Sequence, residues 1–153
     1  SLYATELAHK EGYTQVMWLD GVELKYVEEV GSMNIFFIIG DELITPILNG
    51  SILSGVTRDS VMTLARSWGM KVAERKIGID EIYAAHERGE LQEIFGSGTA
   101  AVISPVGHMK FDGREITIGD GRVGPVSARL FKELMDIQYG RAEDRFGWIM
   151  PVA

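Results

Sequence analysis

The sequence predicts a single domain of the α+β or mixed α/β class, and two features of its hydrophobic pattern carry that prediction. Residues 13–48 contain short apolar runs separated by turn signals such as Asp20-Gly21, which is typical of antiparallel strands in a meander. From Thr57 onward, apolar residues at helical spacing alternate with further strand-like runs. A meander followed by alternating helices and strands favours one domain over residues 1–153, built on a mixed sheet.

Length, composition and charge restrict the class of protein. The 153 residues, 46% of them hydrophobic and 24% charged, suit one ordinary globular domain. A net charge of −7 argues against nucleic acid or an anionic membrane as the partner, and no apolar run reaches the roughly 20 residues that span a bilayer. The absence of cysteine excludes disulfides and thiolate chemistry, and the three histidines lack the spacing of metal ligands. We therefore expect a cytoplasmic protein that holds no metal.

Four segments carry the periodicity and the end signals of helices. In the first, Ala4, Leu7 and Ala8 fall on one stripe, and Gly12 is suited to end the helix. The other three have a predicted cap or first-turn residue. They are a segment with Thr57 as its N-cap, a segment from Asp80 as a possible cap to Gly89, and a segment from Pro125 to Gly140.

The remaining apolar runs are predicted to be strands. The run “NIFFIIG” at 34–40 is apolar almost throughout, which indicates a strand buried on both faces. The tail “FGWIMPV” at 146–152 is too apolar for a free tail, so we expect it to pack on the domain or on another subunit. The predicted strands lie within 13–20, 23–30, 34–40, 43–48, 71–77, 91–95, 100–111 and 114–118.

Gly, Ser and Thr interrupt the apolar pattern at three places, and the first follows a pair of glutamates. In “EEVGSMN”, one of Glu28 and Glu29 must face inward if the strand is covered on both sides. A buried carboxylate needs a cation or a donor, and the protonated ring nitrogen of a cofactor is one such partner. The alternative is that both glutamates lie in solvent at a strand edge.

The other two interruptions are suited to an anion. In “LSGVTRDS”, Gly55 precedes a predicted helix start whose free N–H groups attract anions, and a simple helix cap is the alternative. In “GSGT” at 96–99, free backbone N–H groups and hydroxyls suit a phosphate, and a plain turn is the alternative. Several N–H donors for a phosphate and one carboxylate for a pyridinium nitrogen together describe a site for pyridoxal 5'-phosphate (PLP).

Five segments, in this order, resemble the C-terminal part of a branched-chain amino acid aminotransferase of the fold-type IV class of PLP enzymes. The segments are “QVMWLDG”, “EEVGSMNIFF”, “ITPILNGSILSGVTRDSV”, “FGSGTAAVISPV” and “IQYGRAEDRFGWIMPV”, and they extend over nearly the whole chain. The resemblance implies a strand-rich mixed sheet or pseudobarrel with flanking helices. It also implies that residues 1–153 form the C-terminal, cofactor-binding domain of a longer enzyme.

The resemblance assigns the cofactor ring and its phosphate to specific residues. It implies that Glu29, rather than Glu28, bonds the pyridine nitrogen and keeps it protonated. It places Ser32 near the ring and packs Leu53 against a ring face. The other implied phosphate and ring residues are Gly55, Val56 and Thr57, of which the last two hold the phosphate through backbone N–H groups at a helix N-terminus.

The resemblance also explains the “GSGT” stretch. It implies that the Thr99 hydroxyl bonds the cofactor phosphate, and that the Thr99-Ala100 turn offers its backbone to the carboxylate of the substrate. Gly98 belongs to the same implied set because a glycine lets the backbone approach these anions.

The sequence departs from the family pattern in two respects. Ala101 and Ser104 stand where some relatives carry a Cys-x-x-Cys pair, so the corresponding redox switch is absent. The family's Schiff-base lysine and small N-terminal domain are expected upstream of Ser1, and no catalytic residue is assigned within the chain. The six lysines present stand at positions that the family does not use: Lys10, Lys25, Lys71, Lys76, Lys110 and Lys132.

The activity that the resemblance implies is transamination of a branched-chain L-amino acid (Leu, Ile or Val) with 2-oxoglutarate, giving a branched 2-oxo acid and glutamate. The full-length enzyme is expected to be a homodimer, and residues 1–153 by themselves are expected to be inactive. D-amino acid aminotransferases and aminodeoxychorismate lyases are alternatives within the same fold, although “MNIFF” and “FGSGTA” favour the branched-chain group. An alternative of a different class is a non-catalytic domain that binds PLP or another phosphate.

Overall fold

The computed structural model describes residues 2–152, and helices and strands alternate along them as the predicted mixed class requires. The helices are α1 (Leu2–Lys10), α2 (Val56–Ser67), α3 (Ile79–Glu87) and α4 (Pro125–Gln138). The strands are β1 (Met17–Leu19), β2 (Val27–Val30), β3 (Met33–Ile39), β4 (Glu42–Thr45), β5 (Lys71–Glu74), β6 (Leu91–Gly98), β7 (Val102–Pro105), β8 (His108–Phe111) and β9 (Arg114–Thr117).

Strand β3 is the centre of a seven-stranded sheet. One edge of β3 pairs with β6 over residues 34–39 in antiparallel register. The other edge is shared, because β2 pairs with residues 33–34 and β4 pairs with residues 37–39. At the junction of these two strands the hydroxyl of Thr45, the last residue of β4, donates a hydrogen bond of 2.8 Å to the Ile35 carbonyl.

Alternate side chains of β3 build a hydrophobic core on each face of the sheet. Ile35 and Phe37 pack with α3 and the β8–β9 hairpin, whereas Phe36 packs with α2 and α4. Phe36 stacks on Phe95 of β6 with ring centroids 5.1 Å apart. Burial on both faces explains the nearly continuous apolar run in this strand, as the sequence predicted.

Two of the predicted strands are shorter than their apolar runs, and a turn organised by Asp20 lies between them. Its carboxylate accepts backbone N–H groups from Val22, Glu23, Lys25 and Tyr26. These hydrogen bonds hold the pKa of the Asp20 carboxyl well below its usual range. Because the turn uses these N–H groups, the run 23–30 forms a strand only from Val27. The run 13–20 forms a strand only over Met17–Leu19.

The predicted cap of α3 is wrong. The N-cap is Gly78, and Asp80 lies inside the helix. The N–H of Ile79 donates to the Lys25 carbonyl at 2.9 Å, so an acceptor from a segment distant in sequence serves the first helical N–H. The predicted end is confirmed, because Gly89 follows the helix with a φ of +72°.

Helix α1 is attached to the domain mainly through polar contacts, because none of its residues is buried. Lys110 of β8 forms an ion pair of 2.7 Å with Glu11, just after the helix. The Tyr13 hydroxyl donates to Glu115 of β9 at 2.8 Å. A cavity of about 550 Å³ lies between α1, the adjacent sheet and the β8–β9 hairpin.

The first half of the apolar tail packs on the domain, as the sequence predicted. Phe146 and Trp148 stack with centroids 4.5 Å apart and contact the core beside α2 and α4. The chain beyond them is open to solvent, because the side chains of Met150 and Val152 are 88% and 95% exposed.

A buried glutamate caps α4 from the sheet. Glu93 of β6 is 5% exposed, and its carboxylate accepts the N–H of Val126 at 2.8 Å and the N–H of Ser127 at 2.9 Å. The Ser127 hydroxyl donates a third hydrogen bond of 2.6 Å. A Cβ on Gly124, the N-cap, would lie 2.1 Å from the Glu93 carboxyl carbon, so only glycine lets the helix approach so closely. The N-terminus of α4 is therefore stabilised by an anion that belongs to the sheet, the Glu93 carboxylate.

We predict that Glu93→Gln lowers the free energy of unfolding by about 2 kcal/mol, because an amide has one acceptor oxygen for three donors. Urea unfolding monitored by circular dichroism measures this change. Glu90→Gln is the matched control, since Glu90 is exposed and forms a surface ion pair with Arg88, and its effect should stay within about 0.5 kcal/mol. Equal effects of the two substitutions would contradict the proposed capping role of Glu93.

Candidate functional site

A row of polar residues crosses the sheet at the end where β2 turns into β3. Glu29 of β2 is opposite Asn34 of β3, and Asn34 is opposite Ser97 of β6. Residues opposite each other in an antiparallel pair point to the same face of the sheet. The row therefore lies on the face that carries α2 and α4, next to the stacked Phe36 and Phe95.

One member of this row has a hydrogen-bonding group without a protein partner. Ser97 is 1% exposed, and within residues 2–152 its hydroxyl forms no hydrogen bond. A buried hydroxyl without a partner costs about 1–3 kcal/mol, so it marks a position where a further donor or acceptor is expected.

Glu29 and Leu53, which the resemblance assigns to the cofactor ring, are in direct contact. The N–H of Leu53 donates to the Glu29 carboxylate at 3.2 Å, and the Leu53 carbonyl accepts a hydrogen bond of 2.7 Å from the Asn34 amide. The second carboxylate oxygen of Glu29 forms no hydrogen bond within the described part of the chain. The Leu53 side chain is 70% exposed, so an apolar surface is presented beside a carboxylate.

Glu28 holds the same loop from another position, so neither glutamate is simply solvated. Its carboxylate accepts hydrogen bonds from the Asn49 amide at 3.1 Å and from the Ser51 hydroxyl at 2.8 Å. Both glutamates are half-buried. The segment 46–55, called here the β4–α2 loop, is therefore tied to β2 at two points.

Helix α2 begins at this loop, and its predicted cap is wrong. The N-cap is Gly55, which has extended dihedrals, and Thr57 lies inside the helix. A Cβ on Gly55 would come within 2.3 Å of the Asn34 side-chain oxygen. The helix therefore starts directly over the polar row, at a glycine that lets the backbone contact Asn34.

Asp59 lies in the first turn of α2, but within residues 2–152 no carboxylate accepts a hydrogen bond from the first N–H groups of this helix, in contrast to α4. The N-cap makes no side-chain hydrogen bond, and within residues 2–152 the backbone N–H groups of Val56, Thr57 and Arg58 have no acceptor. The Arg58 guanidinium is buried away from this end, where it donates to the Pro46 carbonyl at 3.0 Å and pairs with Glu74 at 2.9 Å. Free N–H groups and the helix dipole make this end suited to an external anion.

The “GSGT” stretch is mostly strand and not a turn. Residues 96–98 belong to β6, and the turn comprises residues 99–101. The glycines have a packing reason, because a Cβ on Gly96 would lie 3.0 Å from Met33 and 3.1 Å from Val30. A Cβ on Gly98 would likewise lie close to the Met33 side chain, at 3.3 Å. They make room for these side chains on the opposite face of the sheet from Ser97.

The β6–β7 turn completes the same end of the sheet. Thr99 and Ala100 are exposed in it, and Ser32 is exposed in the neighbouring β2–β3 turn. Val102, which follows the β6–β7 turn, has a φ of +60°, which is a strained conformation for a β-branched residue. Strained residues of this kind often lie near functional sites. The structure thus brings all the residues that the resemblance singled out to one end of the sheet.

Sequence reasoning missed two residues of this site, Asn34 and Ser97. Asn34 opens a strand that is otherwise apolar, and an amide at such a position is a signal that could have been used. The sequence did not single out Ser97, because the “GSGT” segment resembles a turn. A serine in an exposed turn needs no buried hydrogen-bond partner.

The lysines do not contribute to this site. Lys71 pairs with Asp41, Lys110 with Glu11 and Lys132 with Asp136. Lys25 and Lys76 lie over the ring of Tyr26, and Lys10 is the last residue of α1.

Residues 2–152 contain neither a metal-binding cluster nor a membrane-spanning helix. No group of three or more histidines, aspartates or glutamates is arranged to hold a metal ion. None of the helices is long and apolar enough to cross a membrane.

Comparison with known proteins defines the family. The chain belongs to the amino-transferase class IV family, which matches residues 1–109. Within it, the chain is homologous to branched-chain aminotransferases. Branched-chain-amino-acid transaminase 1 of Bacillus subtilis is 55% identical over 152 residues, which are 99% of this chain and 43% of that protein. The branched-chain-amino-acid aminotransferase of Mycolicibacterium smegmatis is 46% identical over 153 residues, covering 97% of this chain and 42% of that protein.

Solved structures confirm the fold-type IV prediction. The branched-chain amino acid aminotransferase from Escherichia coli superimposes with a TM-score of 0.79 at 34% identity, over 96% of this chain and 46% of that one. A second branched-chain amino acid aminotransferase, complexed with N-(5'-phosphopyridoxyl)-L-glutamate, gives a TM-score of 0.80 at 31% identity, over 99% of this chain and 47% of that one. The chain therefore spans less than half the length of these relatives.

We predict that inorganic phosphate binds at the α2 N-terminus with a dissociation constant of about 1 mM, equivalent to about −4 kcal/mol. In an amide NMR titration, shifts should cluster at residues 55–58 and 97–100. Residues 125–128 are the internal control, because the Glu93 carboxylate already occupies the N-terminus of α4. A chloride titration at equal ionic strength corrects for salt. Equal shifts at the two helix N-termini, or none at α2, would contradict the assignment.

Proposed function

We propose that residues 1–153 form the C-terminal, cofactor-binding domain of a PLP-dependent transaminase. Its substrates are branched-chain L-amino acids and 2-oxoglutarate, and its products are branched 2-oxo acids and glutamate. The observation that carries the proposal is the link between Glu29 and the start of α2 through Leu53, which joins a carboxylate to an anion site. Homology to branched-chain aminotransferases supports this choice over the D-amino acid and lyase members of the fold.

The residues of the site fit the two charged ends of PLP. The free N–H groups of Val56 and Thr57 suit a phosphate, and the free carboxylate oxygen of Glu29 suits a protonated ring nitrogen. The unpartnered Ser97 hydroxyl is a third group that a ligand would satisfy. The exposed Leu53 side chain supplies the apolar contact that an aromatic ring requires.

Each group has one task in this proposal. PLP, when bound, supplies a ring that accepts the electrons left at the substrate Cα when its proton is removed. Glu29 holds a proton on the ring nitrogen, and the resulting positive charge favours that electron acceptance. Leu53 would pack against one face of the ring, and Ser32 would lie near the ring.

The remaining groups hold anions. The N–H groups of Val56 and Thr57, which follow Gly55, bind the phosphate together with the Thr99 hydroxyl. The backbone of Thr99 and Ala100, after Gly98, binds the carboxylate of the substrate. The turn is exposed and therefore accessible to a substrate.

A proton-transferring lysine must come from outside residues 1–153 in this proposal. Five of the six lysines contact other groups, Lys10 belongs to α1, and within residues 2–152 no lysine forms a hydrogen bond or ion pair with Glu29, Leu53 or the first turn of α2. The proposal therefore includes a further domain, which supplies this lysine and the rest of the substrate pocket, and a homodimeric full-length enzyme.

The test is a transaminase assay with leucine and 2-oxoglutarate. We expect residues 1–153 with PLP to be no faster than PLP alone, because the site holds no lysine. The same chain, extended to the length of its relatives, should turn over. Activity of residues 1–153 above the PLP control would contradict the lysine assignment, and an inactive extended protein that binds PLP would favour a non-catalytic domain.

We predict that Glu29→Gln in the extended protein lowers the transamination rate roughly 10²–10⁴-fold, since a neutral amide cannot hold a proton on the ring nitrogen. Glu28→Gln is the matched control and should change the rate only a few-fold, because its amide oxygen still accepts from the β4–α2 loop. Steady-state kinetics decide between them. A damaging Glu28→Gln beside a harmless Glu29→Gln would reverse the assignment.

A further inference from the structure

We propose that Asn34 is a positioning residue, which fixes the β4–α2 loop so that Leu53 and the first turn of α2 keep their places beside Glu29. The assignment of PLP as the ligand of this site rests on the proposed function. The mechanical role of Asn34 does not, because it follows from contacts within the chain.

The side chain of Asn34 is committed to this loop. It is 5% exposed, and its amide donates to the Leu53 carbonyl at 2.7 Å. The amide nitrogen must face that carbonyl, because a carbonyl only accepts. The backbone of Asn34 is held independently by β2 and β6, so the strand is a rigid base for the side chain.

Leu53 is held through both of its backbone polar groups. Its N–H donates to Glu29 at 3.2 Å, and its carbonyl accepts from Asn34 at 2.7 Å. These two groups belong to the peptide planes before and after the residue, and only φ and ψ relate one plane to the other. Holding both planes fixes φ and ψ, and with them the direction in which the Leu53 side chain leaves the backbone.

Asn34 also determines where α2 begins. Its side-chain oxygen occupies the space in which a Cβ of Gly55 would lie, at 2.3 Å. The Gly55 N–H donates to the same Leu53 carbonyl at 2.9 Å. The Asn34 amide therefore contacts both Leu53, two residues before the N-cap, and the N-cap Gly55 itself.

No other contact in the described part of the chain replaces this one. Glu28 holds the loop further back, at Asn49 and Ser51, and Glu29 holds only the Leu53 N–H. Without the Asn34 amide, the Leu53 carbonyl keeps only the local hydrogen bond from the Gly55 N–H, and this bond does not hold the loop to the sheet. The free N–H groups of α2 then lose their fixed distance from the carboxylate.

The test compares Asn34→Leu with Thr45→Val, two shape-matched substitutions. Each removes one buried side-chain hydrogen bond to a backbone carbonyl, but the Thr45 bond ends on Ile35 in β3 and not on the loop. Amide hydrogen exchange by NMR is the main readout, and the phosphate titration is the second.

We expect Asn34→Leu to lower protection of the Leu53 and Gly55 amides at least tenfold and to weaken phosphate binding by a similar factor. Thr45→Val should leave both within twofold, even where it lowers the melting temperature equally. Equal changes in the two variants would reduce Asn34 to a structural residue and overturn the proposal.

Gly55→Ala provides a second variant should Asn34→Leu fail to fold. Its new methyl group displaces the Asn34 side chain from the loop side, and the same two amides should lose protection. Unchanged protection in a folded Gly55→Ala would overturn the proposal. Because exchange is measured without cofactor, a failure of the PLP assignment leaves this result unaffected and is seen only in the transaminase assay.

Discussion

The arrangement of the site depends on the way β3 divides one edge between two strands. Its other edge pairs along its length with β6, and the stacked Phe36 and Phe95 anchor that contact. Because β2 and β4 share the remaining edge, the chain leaving β4 passes the end of β2 and contacts both of its glutamates before it enters α2. The position of the site therefore follows from the pairing of the sheet.

The two longest helices, α2 and α4, differ in what lies at the positive ends of their dipoles. The first-turn N–H groups of Val126 and Ser127 in α4 are bonded to the buried Glu93 carboxylate, so they are not free for an external anion. The first turn of α2 is left open, and a neutral amide, Asn34, occupies the corresponding place beneath its N-cap. An amide supports the backbone without competing for the N–H groups, whereas a carboxylate there would repel an incoming anion.

Local sequence patterns predicted the helices and strands well but the helix N-caps poorly, because caps depend on residues distant in sequence. Helix periodicity, glycine stops and the apolar β3 depend on neighbouring residues, so the sequence shows them directly. The acceptor for the start of α3 is the Lys25 carbonyl and that for α4 is Glu93, both distant in sequence. The alternation of Glu28 and Glu29 could not show that the same loop bonds both. Likewise, a Gly-rich turn and a Gly-rich strand packed on Met33 look alike until the strands are paired.

The attachment of α1 has a consequence for the cavity beside it. Ion pairs and hydrogen bonds at an exposed surface are worth little and weaken as salt screens them, over about 8 Å at physiological ionic strength. The contacts of Lys110 with Glu11 and of Tyr13 with Glu115 are of this kind, whereas the sheet beneath is held by apolar burial that salt does not weaken. Raising the ionic strength should therefore weaken the attachment of α1 and change the width of the cavity beside it, while the sheet keeps its shape.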